Sequence, residues 1–252
     1  MNSTLKNKIR KIVAYVLAIL TVVAFIVFIV MRQTTDFSFE PYNVPLIRER
    51  IFTAFKNTIL VSVISLIGSM ILGFILYLFT KSKIKYFNAF ADVITEIVYG
   101  TPLLVLIIIS AFLIAPAFDS RNFVLYGIIA LIVYMAPYMT NVYKSAFSSI
   151  AEEQYMAMDL FGFTPYQKYR YIIVPQVIRI LMPTLMNNFS LIIKGSALLN
   201  VLAYSELYYT IQQAQYSNFA FVEGYILMWG LYLIITIPLS QLAKFVERKW
   251  SL

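Results

Sequence analysis

The chain has 252 residues, 61% of them hydrophobic and only 13% charged, with a mean hydropathy of +0.78; this excludes a soluble globule and points to the polytopic helical membrane class. It has no histidine, no cysteine and, among its eight glycines, neither a Gly-x-Ser-x-Gly turn nor a Gly-x-x-x-x-Gly-Lys-Ser/Thr loop, so a metal site, thiol chemistry, a serine hydrolase and ATP binding by this chain are not expected. The net charge of +8 sits in short basic clusters at the ends of apolar runs, the pattern of topology determinants rather than of a nucleic-acid surface.

Behind Lys6, Lys8, Arg10 and Lys11, the run from Ile12 to Met31 is apolar for about 20 residues, enough to cross roughly 30 Å of hydrocarbon. It lacks the short core and small-residue cleavage site of a signal peptide, so a retained first span with a cytoplasmic N terminus is expected. Gln33 to Lys56 carries Pro41 and Pro45 and nearly balanced charges, Asp36 among them, and suits an external loop ending in a surface helix. The chain is accordingly divided into an N-terminal helix and loop over 1–56 and a main domain over 57–252.

The second span is expected over Asn57 to Thr80, where Ser65, Ser69 and Gly73 recur every fourth residue and let another helix approach closely. Lys81, Lys83 and Lys85 mark a cytoplasmic turn. In a third span over Asn88 to Ala115, Asp92 and Glu96 share a face, and Pro102 deprives the Val98 carbonyl of its helical partner near mid-membrane. Asp119 to Asn122 connects externally to a fourth span over Phe123 to Tyr143, in which Pro137, Tyr138, Thr140 and Asn141 read as a kinked helix end at the inner interface. A fifth span over Pro183 to Tyr204 and a sixth over Val222 to Lys244, closed by Glu247-Arg248-Lys249-Trp250, bring both termini to the cytoplasm with every basic cluster on that side.

Between the fourth and fifth spans lies a polar loop, about 144–182. Ala151 to Phe161 is expected to form about three helical turns, ended by Gly162 in the left-handed conformation. Thr164-Pro165 restarts the chain as N-cap and first-turn proline, and Gln167 completes a capping box. This second helix is expected to run to Ile173, with Pro175 forcing a break before the next element.

The order Met156-Ala157-Met158, Gly162, Ile172, Val174, Pro175 resembles the cytoplasmic loop of ABC importer permeases, written Glu-Ala-Ala-x3-Gly-x9-Ile-x-Leu-Pro. Gln176, Arg179, Pro183, Asn187-Asn188 and Lys194-Gly195-Ser196-Ala197-Leu198 are similar to the polar amino-acid branch of that family, as is Tyr99-Gly100-Thr101-Pro102-Leu103-Leu104-Val105. The likeness spans roughly Asn57 to Ser251. It departs at Met156, where the family has glutamate, at Met158 for the second alanine, and at Tyr99 for an arginine; Glu152, Glu153 or Asp159 would have to replace the glutamate.

The resemblance implies an all-α fold of about six transmembrane helices, a five-helix type I importer core plus one N-terminal helix. It implies a transport subunit, not an enzyme, that moves a small polar solute, an amino acid in the first instance. ATP and magnesium would belong to a cytoplasmic ABC ATPase dimer, with a second permease (the same or a homologous chain) and an external solute-binding protein as further partners. On this reading Glu153, Met156, Ala157, Asp159, Leu160, Gly162 and Phe163 couple to the ATPase, with Met156, Leu160 and Phe161 as apolar anchors; an amphipathic helix on the inner leaflet is the alternative. Glu96, Tyr99, Gly100, Thr101, Pro102, Asn187, Asn188, Lys194 and Ser196 line the substrate path. Counting about 1.5 Å per residue places Lys194 and Gly100 at similar depth, and Lys194 either meets the substrate or pairs with Glu96. An ion-coupled secondary transporter using Asp92, Glu96 and Lys194, a permease for an oxyanion or another small solute, and an intramembrane enzyme complete the functions considered.

Overall fold

The computed structural model describes residues 3–33 and 37–250, without the side chains of residues 3–8, Lys11 and Trp250. Asp36 of the expected loop, the side chains of Lys6, Lys8 and Lys11, and the extreme termini lie outside the described residues. The regular elements of the described residues are all helices. Five helices are long and apolar enough to cross a bilayer, and a bent pair makes six if it counts as one broken span.

The first helix, α1 (Ser3–Gln33), has no buried side chain among those described, consistent with a helix that is apolar around its whole circumference. α2 (Pro45–Thr80) starts with proline at its first turn, after Val44 in extended conformation, and runs unbroken for 36 residues. The expected boundary at Asn57 is therefore absent: no breaker follows Pro45, and the surface helix continues directly into the span. α3 (Lys85–Gly100) and α4 (Leu103–Ala117) meet at a bend of 109°. α5 (Phe123–Ser148) keeps Pro137 in its interior, so this proline does not mark a helix end. The short α6 (Glu152–Leu160) precedes α7 (Pro165–Leu202), and α8 (Leu207–Asn218) lies between α7 and the last helix, α9 (Phe221–Trp250).

α7 corrects two boundaries. The chain neither breaks at Pro175 nor starts anew at Pro183; both prolines lie within one helical rod. Lys168–Ile173 is a π-helical stretch, and the Val174 N–H reaches back five residues to the Tyr169 carbonyl. The extra residue in that turn widens the helix just before Pro175, where the proline ring would otherwise strike the preceding turn.

The bundle is built on α2 against α5, with α7 across both and α9 on α7. The small-residue stripe is the contact surface: Ser62, Ser65, Ser69 and Gly73 are all buried. A Cβ on Gly73 would lie 2.5 Å from Met139 Cβ and 2.7 Å from the Ala136 carbonyl, so only glycine admits α5 this closely. Thr140 Oγ1 donates to the Gly73 carbonyl at 2.9 Å and Tyr143 OH to the Met70 carbonyl at 3.2 Å, stitching the two helices across the stripe. Two apolar clusters occupy the two ends. One joins Tyr77, Tyr143, Ile150, Met158 and Ile173 beside the polar loop. The other joins Tyr42, Ala54, Leu207, Ile211 and Met228 at the opposite end.

Candidate functional site

At the loop, α6 is closed at both ends by backbone geometry that the residues dictate. Gly162 has φ +71°, the Gly162 N–H donates to the Asp159 carbonyl and the Phe163 N–H to the Met158 carbonyl, each at 3.0 Å, a Schellman ending. Thr164 then caps the next turn: the Gln167 N–H donates to Thr164 Oγ1 at 3.3 Å and the Thr164 N–H to Gln167 Oε1 at 2.8 Å. Lys168 forms an ion pair with Asp159 across this corner. With Asp159 exposed to solvent and Lys168 largely covered, the pair is worth about 1 kcal/mol at most and positions rather than stabilises. Glu152 and Glu153 occupy the first turn of α6, where the helix dipole favours negative charge.

The faces of α6 divide cleanly. Met158 is 4% exposed and packs with Tyr77, Tyr143 and Ile173, fixing the helix to α2, α5 and α7. Met156, Leu160 and Phe161 point away, at 57%, 88% and 82% exposure, and Glu153 and Ala157 are also exposed. Phe163 is half-buried against the same cluster as Met158. The loop thus presents a doubly capped helix with an unsatisfied apolar tip, held to the bundle by Met158 with Tyr155 and Phe163 beside it.

The break between α3 and α4 centres on Thr101-Pro102. The Val98 carbonyl is not left free: it accepts the Thr101 N–H at 3.3 Å, while Thr101 Oγ1 donates to the Ile97 carbonyl at 2.6 Å and the Leu106 N–H to the Pro102 carbonyl at 3.1 Å. The bend itself supplies these partners, so no wet cavity is required to satisfy the carbonyl. Asn141 Nδ2 donates to Tyr99 OH at 2.7 Å, and the Tyr99 ring meets Tyr138 edge-on at 5.1 Å, with Tyr134 beyond at 5.7 Å. Tyr99, in place of a cation, therefore anchors an aromatic and amide wall.

Lys194 and Glu96 are both exposed and do not pair. The straight-helix count that placed them together fails because the chain turns by 109° between Gly100 and Leu103. A Cβ on Gly195 would stand 3.2 Å from Leu103 Cδ2 and 3.3 Å from Leu131 Cδ1, so the Lys194 turn sits beside the start of α4, while Tyr99 lies at Tyr138 and Asn141. Those levels differ by seven residues of α5, about 10 Å. Gly100, Pro102 and Asn187 are exposed and Thr101 is half-buried. Asn188 and Ser196 are buried, with Asn188 Nδ2 on Met139 Sδ at 3.7 Å and Ser196 Oγ on the Ile193 carbonyl at 2.8 Å.

At the far end, residues not singled out from the sequence make the densest polar network. Glu206 is 0% exposed and caps α8, accepting the Tyr208 N–H at 2.8 Å and the Tyr209 N–H at 2.7 Å, with Tyr232 OH donating to it at 2.8 Å. Burial drives its carboxyl up to about 7, against the opposing pull of these three donors. Thr58 Oγ1 accepts the Leu207 N–H at 3.1 Å and Asn57 Nδ2 donates to the Ser205 carbonyl at 2.8 Å. The signal in the sequence was an acidic residue directly before Leu207-Tyr208-Tyr209, the place of a helix N-cap.

The family described as "binding-protein-dependent transport system inner membrane component" matches residues 69–252. The chain is 29% identical over 195 residues to the probable glutamine ABC transporter permease protein GlnM of Bacillus subtilis (strain 168), covering 77% of this chain and 90% of that one. It is 26% identical over 199 residues to the glutamine transport system permease protein GlnP of Escherichia coli (strain K12), covering 78% and 91%. Its fold is similar to that in a crystal structure of an amino acid ABC transporter with histidines, TM-score 0.72 at 24% identity, over 80% of this chain and 94% of that chain. It is also similar to that of the inward-facing MetNI methionine ABC transporter, TM-score 0.68 at 16% identity, over 83% and 100%. With nearly three quarters of its length matched by one family and a broken-helix bundle of the same form, the chain belongs to the inner membrane components of binding-protein-dependent transport systems, as a multi-pass membrane subunit rather than an enzyme.

Proposed function

We propose that the chain is the permease subunit of an ATP-driven importer for an amino acid. The observation that carries the proposal is the α6 tip: a rigid, doubly capped helix that exposes Met156, Leu160 and Phe161 while Met158 ties it to the core. An apolar knob of this kind fits a groove on a soluble partner, and adaptable methionine and leucine suit a surface that must stay engaged while the partner moves. That partner is a cytoplasmic ABC ATPase dimer, which holds ATP and magnesium; no group of three or more potential metal ligands occurs among the described residues of this chain. The loop end faces the cytoplasm, in keeping with Lys81, Lys83 and Lys85 at the same end, and both termini lie on that side. A second permease, the same or a homologous chain, completes the membrane unit, and an external solute-binding protein delivers the substrate.

The substrate path runs along the α3–α4 break and the exposed face of α7, past Glu96, Tyr99, Gly100, Thr101, Pro102, Asn187 and Lys194, with Asn188 and Ser196 supporting it from behind. The permease domain is assigned to residues 57–252, and residues 1–56 supply α1, the loop and the first turns of α2, which continue into it without a break. The amino-acid class follows from the relatives named for glutamine transport. Co-purification with its ATPase and binding protein, followed by reconstitution into proteoliposomes, tests the whole reading. Uptake of a labelled amino acid that requires ATP and the binding protein is expected; uptake that survives ATP depletion and collapses with an uncoupler would instead assign a secondary transporter.

A further inference from the structure

α2 is about 54 Å long at 1.5 Å per residue, against roughly 30 Å of hydrocarbon. Its C-terminal end is fixed beside the loop by Tyr77, so the surplus length projects at the other end, where Arg48, Glu49, Arg50 and Lys56 make the helix polar. α8 packs along this projecting part. Between the two helices is a cavity of about 850 Å³. Its wall carries Glu49, Arg50 and Thr53 from α2 and Ser205, Tyr209 and Gln213 from the α8 side, over Ala54 and Ala214.

Two features separate this cavity from an accidental cleft. First, it holds one acidic and one basic side chain at adjacent positions, and neither Glu49 nor Arg50 has an ion-pair or side-chain hydrogen-bond partner among the described residues. Charge of both signs is thus left free toward the cavity, in surroundings of hydroxyl and amide groups. Second, its walls are held in place before any ligand arrives: Asn57 and Thr58 bond the start of α8 to α2, and the buried Glu206 bonds it to Tyr232 of α9. A preformed cavity of mixed polar and apolar lining, with Leu46, Ile47, Ala54 and Ala214 beside a guanidinium and a carboxylate, matches a small molecule that bears both charges and an apolar portion.

We infer that this cavity is a reception site for a free α-amino acid, in which Arg50 holds the α-carboxylate and Glu49 the α-ammonium, on the side of the membrane opposite the α6 loop. The inference rests on the proposed importer reading for its orientation and deepens it: substrate would be held by main-chain groups common to all α-amino acids before entering the path at the α3–α4 break.

Equilibrium dialysis of the purified permease–ATPase complex, without binding protein, against each common L-amino acid in tritiated form tests it. Saturable binding of at least one amino acid is expected, not competed by the corresponding decarboxylated amine or α-keto acid. Arg50→Gln and Glu49→Gln should each weaken binding by about tenfold, the loss of one charge-assisted bond, Arg50→Lys less so, and Ser82→Ala at the loop end not at all. No saturable binding, or equal binding in the Gln variants, overturns the site. Variants that bind amino acid normally but lose stimulation of the ATPase by the binding protein overturn it as well and mark the cavity as a docking surface. ATP-dependent uptake measured on the same preparations separates the two claims: uptake without cavity binding removes the site alone, whereas absence of ATP-dependent uptake removes the importer reading.

Discussion

Ser65 and Gly73 occupy the same face of α2 and make opposite demands on substitution. Thr58, Ser62 and Ser69 each donate their hydroxyl to a carbonyl of their own helix, but the buried Ser65 Oγ has no partner among the described residues. Removing an unpaired buried hydroxyl relieves a desolvation penalty, so Ser65→Ala should leave the melting temperature of the detergent-solubilised protein unchanged or raise it. Gly73→Val should lower stability by about 1–3 kcal/mol, because added atoms meet backbone and a Cβ that cannot turn aside. The opposite ranking of the two melting temperatures would contradict the packing. Glu206 gives a pH-dependent counterpart. Its carboxyl is raised from 4.5 to about 7 in the folded state, so between those values the folded chain binds the proton more tightly than the unfolded one. Stability is therefore highest at the acid end of that window, falls as pH rises through it, and levels off above about 7. Glu206→Gln, which keeps an acceptor for the Tyr208 and Tyr209 N–H groups, should flatten that slope; an unchanged slope in thermal melts across the window would show that the group does not titrate there.

At the scale of elements, the α6 corner makes the clearest prediction. Leu160→Asp or Phe161→Asp should abolish ATP-dependent uptake and the co-purification of the ATPase without lowering the yield of inserted permease, since both side chains leave the bundle. Met158→Asp should instead reduce folded yield, because it places a carboxylate in the cluster with Tyr77 and Ile173. This corner was legible in the sequence because its determinants are local: Gly162, Thr164 and Gln167 act on the backbone within four residues. The small-residue stripe of α2 was legible for the same reason, as a fixed spacing on one helix. What was not legible depended on neighbours. A proline ordinarily ends a helix, yet Pro175 is absorbed by a π-helical stretch and Pro137 and Pro183 by packed helix interiors, whereas Pro102 sits at a sharp bend. Sequence alone does not tell which of these outcomes each proline takes. The position of that bend also decided the Glu96–Lys194 question, because a distance counted along a straight rod loses its meaning once the rod turns.

For the molecule as a whole, sidedness is the property to test. Single cysteines at Ser82 and Ser149 should be labelled by an impermeant reagent only from the cytoplasm, and those at Ser38 and Ser120 only from outside; external labelling of Ser82 would invert the assembly proposed for the loop and for the cavity beside α8. α2 links those two regions. It reaches from the cluster around Tyr77 to that around Ala54 without proline, bulge or bend after its first turn, whereas α4 contains a π-helical stretch and joins α3 at a sharp angle. A stiff beam of about 54 Å that rocks by about 5° about one end carries the other through roughly 5 Å, close to one helical pitch. On the proposed importer reading, a tilt imposed at the α6 end would swing the other end of α2 by that distance, and the position of α8, which Asn57 and Thr58 bond to α2, would become a gauge of where the transporter stands in its cycle.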